Sequence, residues 1–95
     1  MVTHVVTFKL ADPSPEHLAH CRARLEDLVG LVPTLRSMTV GCNVVASPRA
    51  HDLVLIANFD DLQGLQAYQE HPDHDEVGRY LRSAATATVS VDFVS

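Results

Sequence analysis

Ninety-five residues, 46% of them hydrophobic and 20% charged, make one small globular domain over residues 1–95 and exclude a two-domain chain. The formal net charge is −5, with Lys9 the single lysine and six scattered arginines, so no basic stripe is available to neutralise phosphates and nucleic acid is excluded as a partner. No apolar run approaches the roughly 18 to 20 residues of a membrane span, and Met1–Leu10 lacks the basic flank and long apolar run of a signal peptide, so a soluble, cytoplasmic protein with no membrane partner is expected.

From Val2 to Leu10 the even positions carry Val2, His4, Val6, Phe8 and Leu10, and the odd ones Thr3, Val5, Thr7 and Lys9, which is the period of a strand. One histidine therefore shares an apolar face. Asp12-Pro13-Ser14-Pro15-Glu16 reads as a turn and a helix start, with Ser14 as cap and Pro15 in the first helical position. Leu18, Cys21, Leu25, Leu28 and Val29 then recur at helical spacing until Gly30 and Pro33 stop the helix. Strand character returns over Leu35 to Ala46, where Gly41 predicts a bulge or a close backbone contact.

Asp52 to Phe59 holds the unbroken run Leu53-Val54-Leu55-Ile56-Ala57, so both faces of that strand need cover. A chain that buries only about 60 to 65% of its unfolded surface has helices for one face, which leaves the other to a second copy of the sheet. Asp60 or Asp61 caps a second helix with Leu62, Leu65 and Tyr68 inward, and Pro72 breaks it because its ring clashes with the Tyr68 carbonyl. The helix resumes with Val77, Tyr80 and Leu81 inward, and Ala85 to Phe93 alternates as a closing strand. Strand, helix, strand, strand, helix pair, strand is the split βαβ, ferredoxin-like order: an α+β fold with a four-stranded antiparallel sheet and helices on one face. Cys21 and Cys42 read as free core thiols, and His17, His20 and His51 as solvated.

His4-Val5-Val6-Thr7-Phe8-Lys9, Val40-Gly41-Cys42-Asn43, the Asp52 to Phe59 strand leading into Leu65, Tyr68, His71-Pro72-x-His74, and the terminal Val91-Asp92-Phe93 together resemble the stress-responsive A/B barrel family. The tyrosine followed by HPxH is the most specific of these. The resemblance covers nearly the whole chain and implies a homodimer in which two four-stranded sheets close a dimeric α+β barrel with the helices outside. It leaves activity open. Some members are stress-associated oligomers, while a plant cyclase of the family closes a linear polyketide thioester by aldol chemistry through a tyrosine and a histidine. By motif those residues fall on Tyr68 and His74, with His71 in the same signature and His4 matching a histidine at the cavity.

Aldol closure needs a base for a proton α to a carbonyl and a donor for the enolate oxygen. His74 as base and Tyr68 as donor suit these tasks, with His4, Val6, Phe8 and His71 as the substrate-binding set. No cofactor is implied. The alternative is a non-catalytic homodimer that binds a small ligand or serves stress tolerance, in which Tyr68 fills core and the histidines pin a helix junction. A monooxygenase on the related barrel fold is weakened by the absence of tryptophan. Three imidazoles could be gathered from His4, His71 and His74, yet no HExxH-type spacing is present, and no metal is expected.

Overall fold

In the computed structural model, which describes residues 1–95, the chain runs β1 (Val2–Leu10), α1 (Pro15–Glu26), β2 (Ser37–Cys42), β3 (Leu53–Phe59), α2 (Leu62–Glu70), α3 (Pro72–Ala84) and β4 (Ala85–Val94). The strands form one antiparallel sheet in the order β2-β3-β1-β4, which is the ferredoxin-like topology. The element boundaries follow local chemistry. The Ser14 hydroxyl accepts from the His17 amide at 3.4 Å, Asp61 accepts from the Gly64 amide at 2.7 Å, and Gly30 turns the chain at φ +90°, a region open to glycine.

Alternation on β1 decides what the sheet buries. Val2, His4, Val6, Phe8 and Leu10 lie on one face with Leu53, Leu55, Ala57 and Phe59 of β3, and all nine are buried. The helices cover this face with Cys21, Leu25, Leu65, Tyr68, Val77 and Leu81, completing one core. Full burial of each large aliphatic or aromatic side chain contributes about 1.5 to 3 kcal/mol.

Several expectations shift at element ends. The second strand stops at Cys42; beyond it the Asn43 side chain donates to the Val45 carbonyl at 2.8 Å, and Val44 and Val45 are exposed. Gly41 makes the close contact without a bulge: its register with β3 is unbroken, and a Cβ there would lie 3.2 Å from Val54 Cγ1. The irregularity falls instead between Lys9 and Leu10 on β1. Val29 is exposed because α1 ends at Glu26, and Leu62 is exposed because it occupies the first turn of α2, ahead of the core. Cys21 is buried and Cys42 half-buried, both as free thiols.

The opposite face of the sheet has no cover within the chain. There Val5 lies between Ile56 and Val91, and Thr7 between Val54 and Val89, with Phe93 beside them on β4. Val89, Val91 and Phe93 are 56%, 61% and 47% exposed, an apolar strip of the kind that marks an association surface. No helix is long and apolar enough to cross a membrane.

Sedimentation velocity at micromolar concentration is expected to show a dimer, and Val91→Asp to shift it toward monomer by placing a charge in the strip that the second sheet would cover. A parent chain that sediments as a compact monomer would remove the argument for a second sheet.

Candidate functional site

A cavity of about 270 Å³ opens between α3 and the β1–β4 half of the sheet. It exists because three of the residues that border it are small. The β1–β4 register sets Thr88 and Ser90 beside Phe8 and Val6 on the helix-facing side, and Gly78 is the part of α3 that passes over them. Val6, Phe8, Leu25, Leu55, Val77 and Leu81 make the wall largely apolar. His4, Tyr68, Gln69, His74 and Arg82 supply its polar atoms.

His4 is buried, and its Nδ1 meets the Asp92 carboxylate directly across the β1–β4 ladder. A carboxylate only accepts, so Nδ1 carries the proton and donates it. Asp92 pins the ring that would otherwise be an unpaired polar group in the core. The terminal-strand resemblance includes Asp92, but pairing with His4 was not legible. The available signal was the polar alternation Thr86, Thr88, Ser90, Asp92 and the need of a histidine on an apolar face for a partner.

Tyr68, brought inward by α2, is fully buried. Its ring lies 4.3 Å from that of His74, 5.0 Å from Phe59 and 6.3 Å from His4, centroid to centroid. Its hydroxyl is the one buried side-chain polar atom with no hydrogen-bond partner, and it is closed off from solvent. Burial pushes the phenol well above its usual range, so the group stays protonated and has a hydrogen bond to donate.

His74 sits in the first turn of α3. Its Nδ1 donates to the Gln69 carbonyl at 3.2 Å, which leaves the Nε2 lone pair free. Its pKa is lowered, first by burial and then by the nearby His4 and Arg82, against the opposing Gln69 hydrogen bond and Asp75. Burial thus outweighs the acidic neighbour and favours the neutral imidazole.

His71 is placed elsewhere. It lies outside the cavity wall, with extended backbone at φ −66°, ψ 135° between α2 and α3. Its amide donates to the Tyr68 carbonyl at 3.2 Å, and its Nδ1 accepts from the Asp73 amide at 3.1 Å. It caps the helix that Pro72 restarts, so the substrate-contact role expected from the HPxH spacing gives way to a joint. The other histidines are not simply solvated. His17 Nδ1 donates to the Asp12 carbonyl at 2.7 Å and its Nε2 accepts from the Tyr80 hydroxyl at 2.9 Å. His20 meets the Tyr80 ring edge-on at 5.4 Å, and His51 Nδ1 pairs with the Thr7 hydroxyl at 2.9 Å. No three His, Cys, Asp or Glu side chains gather at metal-binding distance.

A family model described as Stress Responsive A/B Barrel Domain matches residues 2–95. The chain is 32% identical over 94 residues to an uncharacterized protein of Streptomyces coelicolor, SCO4036, across 95% of this chain and 96% of that one. A dimeric ferredoxin-like protein of unknown function from Thermobifida fusca superposes with a TM-score of 0.87 at 24% identity, over 99% of this chain and 90% of the other. A second dimeric ferredoxin-like protein, from Bacteroides fragilis, is 27% identical with a TM-score of 0.78, over 99% and 95% of the two chains. Two enzymes share the fold at lower identity. A hydroxynitrile lyase from Passiflora edulis has a TM-score of 0.85 at 16% identity, over 99% and 92% of the chains. A point mutant of SnoaB, a cofactor-independent oxygenase from Streptomyces nogalater, has a TM-score of 0.77 at 18% identity, over 99% and 91%.

An NMR titration of the imidazole C–H signals is expected to place the His74 midpoint below 6.5, the ordinary value. The folded state then binds this proton less readily than the unfolded state. The neutral ring's contribution to stability is therefore present above about pH 6.5 and declines as pH falls through the folded-state value. His74→Gln should remove that part of the pH dependence; a midpoint at or above 6.5 contradicts the burial argument.

Proposed function

The chain belongs to the stress responsive A/B barrel family, and from that premise we propose that it acts as a homodimer that binds an apolar, polyketide-type carbonyl compound under α3 and turns it over without a cofactor, as a cyclase or lyase. The observation that carries this reading is the pairing, on an apolar cavity, of a neutral imidazole with a free Nε2 and a protonated tyrosine whose hydroxyl has no partner. A buried hydroxyl left unpaired is rare enough to ask for an explanation, and a substrate oxygen is one. Neighbours of the same fold include a hydroxynitrile lyase and a cofactor-independent oxygenase, so this architecture accommodates chemistry of more than one kind.

In this reading His74 Nε2 takes a proton from the carbon α to a substrate carbonyl. The C–H pair becomes a carbon–carbon π bond as the carbonyl π pair moves to oxygen, and the enolate that results accepts a hydrogen bond from Tyr68. The enolate carbon attacks a second carbonyl of the same molecule, closing a ring. The new alkoxide takes the proton back from His74, so base and proton are both regenerated. Asp92 holds the His4 ring in place at the wall, and Val6 and Phe8 hold the apolar chain. The Tyr68 hydroxyl is closed to solvent in the free protein, so its bond to substrate forms only once a neighbouring ring has moved, as catalytic hydrogen bonds often tighten in the complex. That same closure favours the second reading, a homodimer that holds a small ligand without reacting it.

Deuterium incorporation next to the carbonyl of 2-octanone in D₂O, followed by mass spectrometry, tests the base. His74→Ala is expected to slow the protein-dependent exchange by about 10²- to 10⁴-fold, and Tyr68→Phe by about 10²- to 10³-fold. Exchange at the buffer rate with the parent protein would leave only the binding reading.

Thermal denaturation gives an independent check on Tyr68. Because its hydroxyl has no partner to lose, Tyr68→Phe should melt at or above the parent temperature. A bonded hydroxyl that merely pinned the fold would instead cost about 1 kcal/mol, and a clear drop in Tm would point to that role.

A further inference from the structure

Among the six arginines, Arg22, Arg24, Arg36 and Arg79 each have a carboxylate partner, in Glu26, Glu76, Asp60 and Asp75. Arg49 lies in an exposed loop. Arg82 is exposed as well, at the C-terminal end of α3, but it lines the cavity, and no carboxylate or hydrogen-bond acceptor of the protein engages it. In a chain with net charge −5, a guanidinium without a carboxylate at a cavity lip is conspicuous. Its position is built by the helix. One turn back, Gly78 has no side chain, and a Cβ there would sit 3.0 Å from Arg82 Nη1 and 3.8 Å from His74 Cε1. The glycine thus lets the guanidinium fold back along α3, so that Arg82 Nη1 and His74 Cε1 both come within 4 Å of the same point, and Arg82 is among the charges that lower the His74 pKa.

We infer that Arg82 is the carboxylate anchor of this cavity, so that the compound taken here is a monoanionic oxo acid with its charged end at the lip beside Gly78 and its apolar chain directed inward. The inference rests on the cavity being a ligand site, as proposed above. The planar fork of the guanidinium matches a carboxylate in a bidentate manner. With no second permanent cation on the wall and an acidic chain around it, one guanidinium suits a single negative charge better than the dianion of a phosphate monoester. Val6, Phe8 and Leu81 offer the chain an apolar bed, and His74 meets a carbonyl a short way along it. Arg82 would then set both which compounds enter and where along the chain the base acts.

Calorimetric titration of the whole protein with octanoate and with octanamide at neutral pH separates charge from chain. The parent is expected to bind octanoate at least about tenfold more tightly than octanamide, the order of one charge-assisted hydrogen bond. Arg82→Gln should abolish that preference, Arg82→Lys should restore part of it, and Gly78→Ala should weaken it by displacing the guanidinium. Raising the salt concentration should weaken octanoate alone. Equal affinity of the parent for the two probes, or an Arg82→Gln variant that keeps the preference, overturns the anchor while the cavity reading stands. If neither probe binds the parent, the cavity reading and the anchor fall together.

Discussion

The register of β1 against β4 is the constraint from which the rest of the site follows. Side chains alternate along a strand, so a slip of one residue would turn every β4 side chain to the other face. In the register observed, Thr88, Ser90 and Asp92 face the helices, and Val89, Val91 and Phe93 face away. The first set yields a polar floor for the cavity and a carboxylate for His4; the second supplies the apolar strip on which a second sheet can rest. One slip would bury the valines under α3, fill the cavity and leave His4 with no acceptor. The same pairing thus defines the internal site and the external face.

The cavity reflects incomplete cover. α1, α2 and α3 pack densely over β1 and β3, where Leu28, Phe59, Tyr68 and Leu81 are almost wholly buried. Over β4 the packing gives way, because the strand offers short hydroxyl side chains and α3 offers Gly78. Large side chains at these three places would make a better core and remove the opening. Interiors are packed close to crystal density, so a cavity with polar groups on its wall is a departure that the surrounding core must tolerate.

Burial also sorts the titratable groups. Tyr68 and His74 are in ring contact, and exclusion of water moves their acidities apart: the phenol holds its proton more firmly while the imidazole gives its proton up. Two groups each driven toward the neutral form meet what the proposed chemistry on an uncharged carbonyl requires. The fold alone does not specify that chemistry, since the same architecture carries a lyase and an oxygenase.

Periodicity and local chemistry were sufficient, from the residues alone, to read the element order, the helix-facing set on β1, the Ser14 cap, the break at Pro72 and the surplus of apolar sheet surface. All of these depend on neighbours within a few positions, which a sequence displays directly. The resemblance in the tyrosine-HPxH segment pointed further, to Tyr68 and His74. It also grouped His71 with them, because spacing does not show which way a side chain turns at a broken helix; the extended backbone at residue 71 makes that histidine a cap. The Asp92 partner of His4, the Tyr80 partner of His17, the free nitrogen of His74 and the fold-back of Arg82 over Gly78 were decided only in three dimensions. The His4 and His17 pairings join residues 88 and 63 positions apart, while the other two depend on side-chain rotation against a packed surface. Such terms belong to the assembled core, and no local stretch of the chain contains them.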